Sequence, residues 1–588
     1  MAETEHNEMR LIVAAIDFGT TYSGWAFSFR TDYERDSTKA DVKHWYSGIG
    51  NTVKTPTCLL VKPDGVTFQA FGYEAENQYM ELADNNEHRD YYYFRRFKIL
   101  LFGALGKHLT KETIVTDQMG KELLAVDVFA MSIKFMVDDL IVVVNQRLAG
   151  KIMETDIQWV ITVPAIWSDP AKQFMRHAAV KAGIDTKRLT IVLEPEAASL
   201  YCRHLPAGTT VSDGILTISE FPTGTKYMVL DAGGGTVDIT VHEVQGQYTL
   251  REVRAANGGD WGGTMVDKAF ENFLIDLVGE TSLNNFKHLE TVDWLHLSRD
   301  FELKKQAAGT QSEGNVIMHF PVSLIDLFET KKERKMSIKD AIVASKYSKE
   351  VELKRHKLKI SHSTVEKLFE DSIQQIVKHV QNLMNDERMV DIKAVLMVGG
   401  YSESPLLQRA IKSALPGIHI VIPQEASSAV LRGALIFGHN PMMITQRILK
   451  YTYGVTVIEP FVDGKHPESK RMKTDEGDHC NGIFYKLIEK ELCVTPGETQ
   501  VIKRCLTVNK KQTNMCFDIF ISEEKTPTYV DDKGCTKLGI MRMQFEEPDD
   551  LPGREVNLTM LLGGSEIIVE LEDKKTGNKV INTAEFWG

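Results

Sequence analysis

Short apolar runs broken by glycine and proline open the chain. "LIVAAID", "YSGWAFSF" and "PTCLLV", between residues 11 and about 72, are rich in β-branched and aromatic residues and predict strands joined by turns. Apolar residues then recur on one face of "ELLAVDVFAMSIKFMVDDLIVVVNQR", which predicts a helix over 122–147. "DIQWVITVPAIW" predicts a buried strand ending at Pro164. "DPAKQFMRHAAVKAGI" follows as a helix, with Asp169 at the cap, Pro170 in the first turn and Gly183 beyond the end.

The second half repeats the theme. "KYMVLDAGGGTVDITVHEV" reads as strand, turn, strand, and a helical, charged section runs on to about 310. In "STVEKLFEDSIQQIVKHVQNLM", Ser363 and Glu366 have capping-box spacing, and Val365, Leu368, Phe369, Ile373, Ile376, Val377 and Val380 share a face. "AVLMVGG" predicts a buried strand and "ASSAVLRGALIFG" a small-residue helix. After about 440 the texture changes to successive strands, "QVIKRCLTV", "MCFDIFIS", "EVNLTMLL" and "EIIVELEDKKTGNKVI", with Thr576, Gly577 and Asn578 at a hairpin tip. That predicts a separate antiparallel β domain with no long helix after it.

Two turns stand out against this background. "DFGTTYSG" at 17–24 and "DAGGGTVDIT" at 231–240 each follow an apolar strand that ends in Asp. Glycine lets backbone N–H groups approach an anion, and threonine adds hydroxyl donors. An Asp at each strand end suits Mg²⁺, which is held by one or two carboxylates together with phosphate oxygens and waters. Two such turns face to face would clamp a polyphosphate from both sides. The triplet Asp17-Phe18-Gly19 also resembles the protein-kinase metal motif, but sixteen preceding residues cannot hold a kinase's upstream parts. The chain has neither a P-loop pattern nor a strand–G-x-G-x-x-G–helix unit.

"DFGTTYSG", "VITVPAIW", "LEPEAASLY", "DAGGGTVDIT" and "LMVGGYSESPLLQ", in that order, resemble the five nucleotide-site segments of the actin, sugar-kinase and seventy-kilodalton heat-shock protein superfamily. "FGTTYS" and "DAGGGTVD" are most similar to the heat-shock branch. "FRRFKILLFG" and "SRDFELKKQAAG" resemble its atypical twelve-A/twelve-B subfamily. The resemblance covers residues 11 to about 438. It implies an α/β, two-lobed, actin-like (ribonuclease H-like) ATPase fold with a duplicated core, followed by a small antiparallel β domain. The expected layout is a tail over 1–10 and a nucleotide domain over 11–438, with lobe I about 11–225, lobe II about 226–410 and a return helix about 411–438. A linker over 439–454 and a β-rich domain over 455–588, without a helical lid, complete it.

The resemblance also implies roles. Asp17 and Asp231 would hold hydrated Mg²⁺. Gly19, Thr20, Thr21 and Tyr22 would line the first phosphate loop, and Gly233, Gly234, Gly235 and Thr236 the second. Lys98 would place a positive charge at the γ-phosphate, unless it is a plain surface lysine of an aromatic-basic run. Glu194 and Asp238 would orient the attacking water and metal waters, with Thr236 beside them, unless the acids merely cap the helix after Pro195. Pro164 would be a hinge, Glu302 and Lys305 would contact the ribose, and Gly399 and Gly400 would pack beneath the adenosine.

The pattern departs at base recognition. Where typical chaperones carry two arginines that sandwich the adenine, this chain reads Gln306 and Glu403, and an acid cannot make that cation–π stack. Gln424 replaces a family aspartate. Weaker ATP affinity or an altered base preference is the expectation. The join "NPMMITQRILKYTYGV" is not the leucine-rich, aspartate-bounded linker of typical members, and no acidic C-terminal tetrapeptide offers a co-chaperone dock.

Charge and composition narrow the partners. With 588 residues and a net charge of -12, composition argues against a general affinity for nucleic acid, though not against a local basic patch, and the basic run "KKERK" at 331–335 reads as a solvated loop. No apolar stretch approaches a membrane span, and neither "MAETEHNEMR" nor "AEFWG" carries a targeting or lipidation signal. Seven cysteines without a C-x-x-C pair read as reduced, mostly buried thiols of a cytoplasmic protein, with the nucleus as a second compartment. The expected function is an atypical heat-shock-type chaperone of the stress response. It would bind Mg-ATP, hydrolyse it slowly to ADP, and act on protein clients or signalling partners, with co-chaperones among its partners. The alternative is a nucleotide-gated adaptor with little turnover. A small-molecule kinase on the same fold lacks an inserted substrate domain.

Overall fold

The computed structural model describes residues 10–48, 50–103, 109–148, 150–205, 210–212, 218–310, 314–330, 336–474, 477–507, 511–547, 549 and 553–582. The basic run at 331–335 lies outside the described residues, as do 1–9 and 583–588.

The first sheet is built on strands β1 (Ile12–Phe18), β2 (Tyr22–Phe29), β3 (Asp41–Val42), β4 (Thr55–Pro56), β5 (Ile157–Val163) and β6 (Leu189–Leu193). Its order is β6-β5-β1-β2-β3, with β4 also paired to β2. β1 runs parallel to β5, β5 parallel to β6, and β2 antiparallel to β1. All seven residues of β1 are buried, as a central strand with both faces covered requires. Helices α1 (Ala125–Leu148) and α2 (Asp169–Lys181) pack with Phe18, Phe27, Phe97 and Trp159 in one core on one face of this sheet. Helix α3 (Glu194–His204) starts as soon as β6 ends, with Pro195 in its first turn.

The second sheet repeats that plan. It contains β7 (Thr210–Ser212), β8 (Lys226–Ala232), β9 (Val237–Val244), β10 (Leu250–Gly259), β11 (Ile392–Val398), β12 (His419–Pro423) and β13 (Ile444–Ile448). The order is β7-β12-β11-β8-β9-β10-β13, extended by Cys493–Val494. β8 lies parallel to β11 and antiparallel to β9, as β1 does to β5 and β2. Helices α4 (Thr264–Val278), α5 (Thr291–Ala307), α6 (Glu370–Met384) and α7 (Pro405–Ala414) build a separate core on its outer face. Between the two sheets lie α3 and α8 (Ala429–His439), in a third core with Val13, Val160, Tyr227 and Leu396. A Cβ at Gly433 would stand 1.7 Å from the Ala197 carbonyl oxygen, so the two helices approach this closely only across a glycine.

Beyond β13 the chain forms a β sandwich. A five-stranded antiparallel sheet runs in the order Arg471–Thr474, Gly477–Ile488, Thr452–Pro460, Asn514–Ser522, Cys535–Gln544. A four-stranded one runs Thr499–Leu506, Glu555–Leu561, Ile568–Asp573, Lys579–Asn582. They share a core that includes Ile519, Met541, Leu558 and Val569. Gly577, at φ 73°, turns the last hairpin. Among the described residues this part contains no α-helix.

Several local expectations shift. Residues 122–124 form a short strand paired with Ile114–Thr116, so the long helix begins at Ala125. Ser361, not Ser363, caps the helix at 362–367, its side chain accepting from the Thr364 N–H; the helix pauses before α6. Ser168 holds the cap position of α2, and Asp169 is its first residue. β12 belongs to the second sheet, so the helix that returns between the sheets starts at Ala429 rather than 411. All seven cysteines are free thiols, but only Cys58, Cys202 and Cys480 are buried.

Candidate functional site

The duplicated plan puts two equivalent hairpins face to face. Asp17 lies at the end of β1, opposite Gly24 of β2; Asp231 lies at the end of β8, opposite Asp238 of β9. The turn from Gly19 to Thr21 and the turn from Gly233 to Thr236 interlock. A Cβ on Gly234 would stand 2.1 Å from Thr21 Oγ1, and one on Gly235 would stand 2.6 Å from Thr20 Oγ1. In the first turn a Cβ on Gly19 would strike the Tyr22 carbonyl oxygen at 2.1 Å. A third loop supports the second turn. The N–H groups of Gly263, Thr264 and Gly262 donate to the carbonyls of Gly233, Gly234 and Gly235 at 3.2, 2.8 and 3.3 Å. That leaves the glycine carbonyls satisfied.

Behind the turns lie four buried or half-buried acids and two lysines. Lys98 is only 2% exposed; it donates to Glu194 Oε1 at 2.9 Å and its ammonium sits 4.9 Å from the Trp167 ring centre. It is not a surface lysine. Glu194 is the first residue of α3, and its carboxylate is turned to Lys98. Asp238 Oδ1 accepts from the Ile166 N–H at 2.9 Å, two residues beyond Pro164. Lys54, absent from the motifs, donates to Asp17 Oδ2 at 2.6 Å, and the Thr162 hydroxyl donates to Asp17 Oδ1 at 2.9 Å.

The charges respond to this crowding. Burial pushes Glu194 up to about 7; Lys98 opposes the rise, and the nearby Asp17 and Asp238 add to it. Burial, then Glu194, Asp238 and Asp17, hold Asp231 well above the carboxylate range. Burial also raises Asp238 against the Ile166 N–H. Asp17 goes the other way: burial disfavours its charge, but Lys54 outweighs that and holds it below the usual range. Burial likewise opposes the Lys54 charge, and Asp17 overcomes it.

Four carboxylates thus meet two ammonium groups, and among the described residues Asp231 makes no ion pair. The surplus negative charge fits a divalent cation. Among the described residues no group of three or more acids, histidines or cysteines forms a cage for an ion. That donor set suits a metal held largely by water and phosphate, as Mg²⁺ is.

The remaining sequence-derived residues line one side of the second lobe. Lys305 bridges Asp267 at 2.7 Å and Glu302 at 2.6 Å, and its Nζ would be 3.9 Å from a Cβ on Gly263, linking α5 to the third loop. Arg96, two residues before Lys98, reaches across to Asp267 at 2.7 Å. Gly399, at φ 84°, abuts the metal-candidate acid: a Cβ there would stand 2.3 Å from Asp231 Oδ1. Around Gly400 there is open space. Gln306 and Glu403 are exposed; Gln306 donates to Glu302 at 3.2 Å and Glu403 accepts from the Ser427 N–H at 3.3 Å. Gln424 is exposed as well.

Sequence reading missed Lys54 and the connection to the linker. Arg447 of β13 grips Glu196 of α3 through two hydrogen bonds of 2.6 Å. Lys450 donates to the Ile166 carbonyl at 3.2 Å, and the Ile448 N–H donates to Glu252 at 2.8 Å. A cavity of about 80 Å³ where the linker meets both lobes and the sandwich is lined by Trp167, Glu252, Lys450, Tyr451 and Gly563, among others.

Two sheets of one topology, each with an acid-ended glycine hairpin turned toward the other, define an actin-like ATPase fold. Sequence comparison agrees. Residues 97–321 match the family model described as Hsp70 protein. The chain is 32% identical to heat shock 70 kDa protein 12B of Homo sapiens over 98% of this chain and 91% of that protein. It is 33% identical to heat shock 70 kDa protein 12A of Homo sapiens over 97% and 90% of the two chains. Its likeness to the chaperone protein DnaK of Methanothermobacter thermautotrophicus is 23% over 71% of this chain and 59% of that one. The chain belongs to the seventy-kilodalton heat-shock protein family, as an atypical member of the 12A/12B type. Membership supports a nucleotide-binding, ATPase-type function, and nucleotide and divalent metal are used in the family generally. Among the described residues no helix is long and apolar enough to cross a membrane.

Proposed function

We propose that this protein binds Mg-ATP between its two hairpins, hydrolyses it slowly, and transmits the change to the β sandwich through β13. The observation that carries the reading is the buried Lys98–Glu194 pair behind the interlocked turns. A lysine and a glutamate removed from solvent cost free energy unless the site uses them. In this reading the glycine turns cradle the phosphates, and Lys98 stabilises charge on the phosphoryl group. Glu194 and Asp238 orient water, with Thr236 beside them. Asp17 and Asp231 would hold the metal, which when bound neutralises phosphate charge. Glu302 and Lys305 take the ribose, and Gly399 and Gly400 the adenosine.

The route to the sandwich runs through the same elements. Asp238 holds the Ile166 N–H while Lys450 holds the Ile166 carbonyl. Glu194 and Glu196 share the first turn of α3, and Glu196 holds Arg447. A shift at the phosphates therefore reaches the linker through one residue, Ile166, and one helical turn. Pro164 would be the hinge at the start of this path. The sandwich would take protein clients or signalling partners.

A nucleotide-gated adaptor remains the second reading, favoured by the exposed Gln306 and Glu403, which leave base recognition without cations. Single-turnover ATP hydrolysis with calorimetry, on wild type and Lys98→Ala, separates the two. Turnover by wild type alone, with ATP bound by both, supports the ATPase. Binding by both and turnover by neither supports the adaptor. Failure of wild type to bind nucleotide refutes both.

A further inference from the structure

Lys54 is built into the acid cluster by a specific path. It immediately precedes β4, whose Thr55 and Pro56 pair with Ser23 and Tyr22 of β2. The next residue of β2, Gly24, stands opposite Asp17 in the β1–β2 register. A Cβ at Gly24 would lie 3.1 Å from Lys54 Cγ and 2.8 Å from the Val53 carbonyl oxygen. The lysine stem thus crosses β2 over a glycine and brings its ammonium to Asp17 on the strand beyond. The Lys54 side chain is 18% exposed and that of Asp17 5%. With Thr162 on Oδ1 and Lys54 on Oδ2, both oxygens of Asp17 are engaged inside the protein.

We propose that Lys54 is a resident counter-cation of the nucleotide site: it occupies Asp17 and supplies from the chain part of the positive charge otherwise required of a divalent ion, so that nucleoside diphosphate binds with only weak dependence on Mg²⁺. The inference rests on the nucleotide reading above. An ammonium–carboxylate contact of this length is a charge-assisted hydrogen bond. A metal that took Asp17 for itself would leave a buried ammonium unpaired, which is strongly unfavourable. Lysine is a compact point charge with three donors, and Asp17 takes one of them. Asp231, without a lysine of its own, is the acid free to meet a metal directly, and Asp17 would hold it only through the metal's waters.

The test is calorimetric titration of ADP into the full chain, in Mg²⁺ and again in EDTA, for wild type, Lys54→Met and Lys54→Arg. On chelation wild type should lose less than about fivefold in affinity, and Lys54→Met more than about fiftyfold, recovered when Mg²⁺ returns. Lys54→Arg, which keeps the charge, should follow wild type. A wild type that loses as much as about fiftyfold in EDTA overturns the proposal, and that measurement needs no variant to fold. Equal insensitivity of wild type and Lys54→Met to chelation overturns it too, since the charge would then come from elsewhere. Binding by wild type in Mg²⁺ alone defeats this inference but leaves the nucleotide reading standing; no ADP binding in either condition defeats both.

Discussion

Arg447 and Glu196, 251 residues apart, form a buried bidentate ion pair, Nε to Oε1 and Nη2 to Oε2 both at 2.6 Å. The third guanidinium arm, Nη1, donates to the Gly563 carbonyl at 2.5 Å. One side chain of the linker strand therefore joins the helix that carries Glu194 to the β sandwich.

Breaking that pair should be costly. Arg447→Met leaves Glu196 buried without its cation, a loss of about 3–5 kcal/mol. We expect the urea midpoint of the first unfolding transition to fall and protease cutting near 440–454 to appear. The double variant with Glu196→Gln should regain most of the loss. An unchanged midpoint in Arg447→Met would show that the pair contributes nothing to docking.

Stability should fall as pH rises from weakly acidic to weakly basic. Burial raises Glu252 from 4.5 to about 8, with the Ile448 N–H opposing and Glu196 adding to the rise. An acid whose folded pKa exceeds its unfolded one contributes its stability below the unfolded value, here near 4.5, and loses it as pH climbs through about 8. Within that window the slope from this one group approaches roughly 1.4 kcal/mol per pH unit. Glu252→Gln should flatten it, which melting temperatures between the two limits would reveal; parallel curves for wild type and variant would contradict the assignment.

Gly399→Ala should damage the site without unfolding the lobe. The new methyl carbon would meet Asp231 Oδ1 at 2.3 Å at a backbone φ of 84°, unfavourable for any side chain. We expect nucleotide affinity to drop by about tenfold or more, with the circular dichroism spectrum preserved. Wild-type affinity in the variant would mean that Asp231 takes no part in binding.

Base choice should be loose. Gln306 and Glu403 offer no cation to an adenine ring, so ATP and GTP should bind within about tenfold of each other. Gln306→Arg with Glu403→Arg should favour ATP. Strong ATP preference in the wild type, measured by competition, would show that other residues read the base.

The strand-ended acids, the glycine turns and the strand-rich C-terminal part were legible because each is a local pattern: apolar period, then Asp, then residues that tolerate a tight turn. That the two turns face each other followed from the duplication, since a repeat implies a second copy of the same shape; the close approach of Gly234 to Thr21 did not. Lys54 was not legible. Its partner lies 37 residues away, and the only local trace is Gly24, whose missing side chain makes room for the stem. Nor was Glu196 distinguishable from the helix-starting acid beside it, because its cation comes from β13. The split between Ser361 and Ser363 shows the limit of spacing alone: both have hydroxyls near the helix start, and backbone geometry chooses the one at the end of a strand.

β13 pairs with β10 on one side, Leu250 to Ile444 and Arg251 to Gln446, and with Cys493–Val494 on the other, Arg447 to Val494 and Ile448 to Cys493. The sandwich is thus not a ball on a tether. It hangs from the two-lobed body by shared rungs of a ladder, and strand register sets its orientation together with the ion pair of Glu566 with Arg176. To swing free it must unzip, exposing raw strand edges that any passing extended chain is shaped to fill.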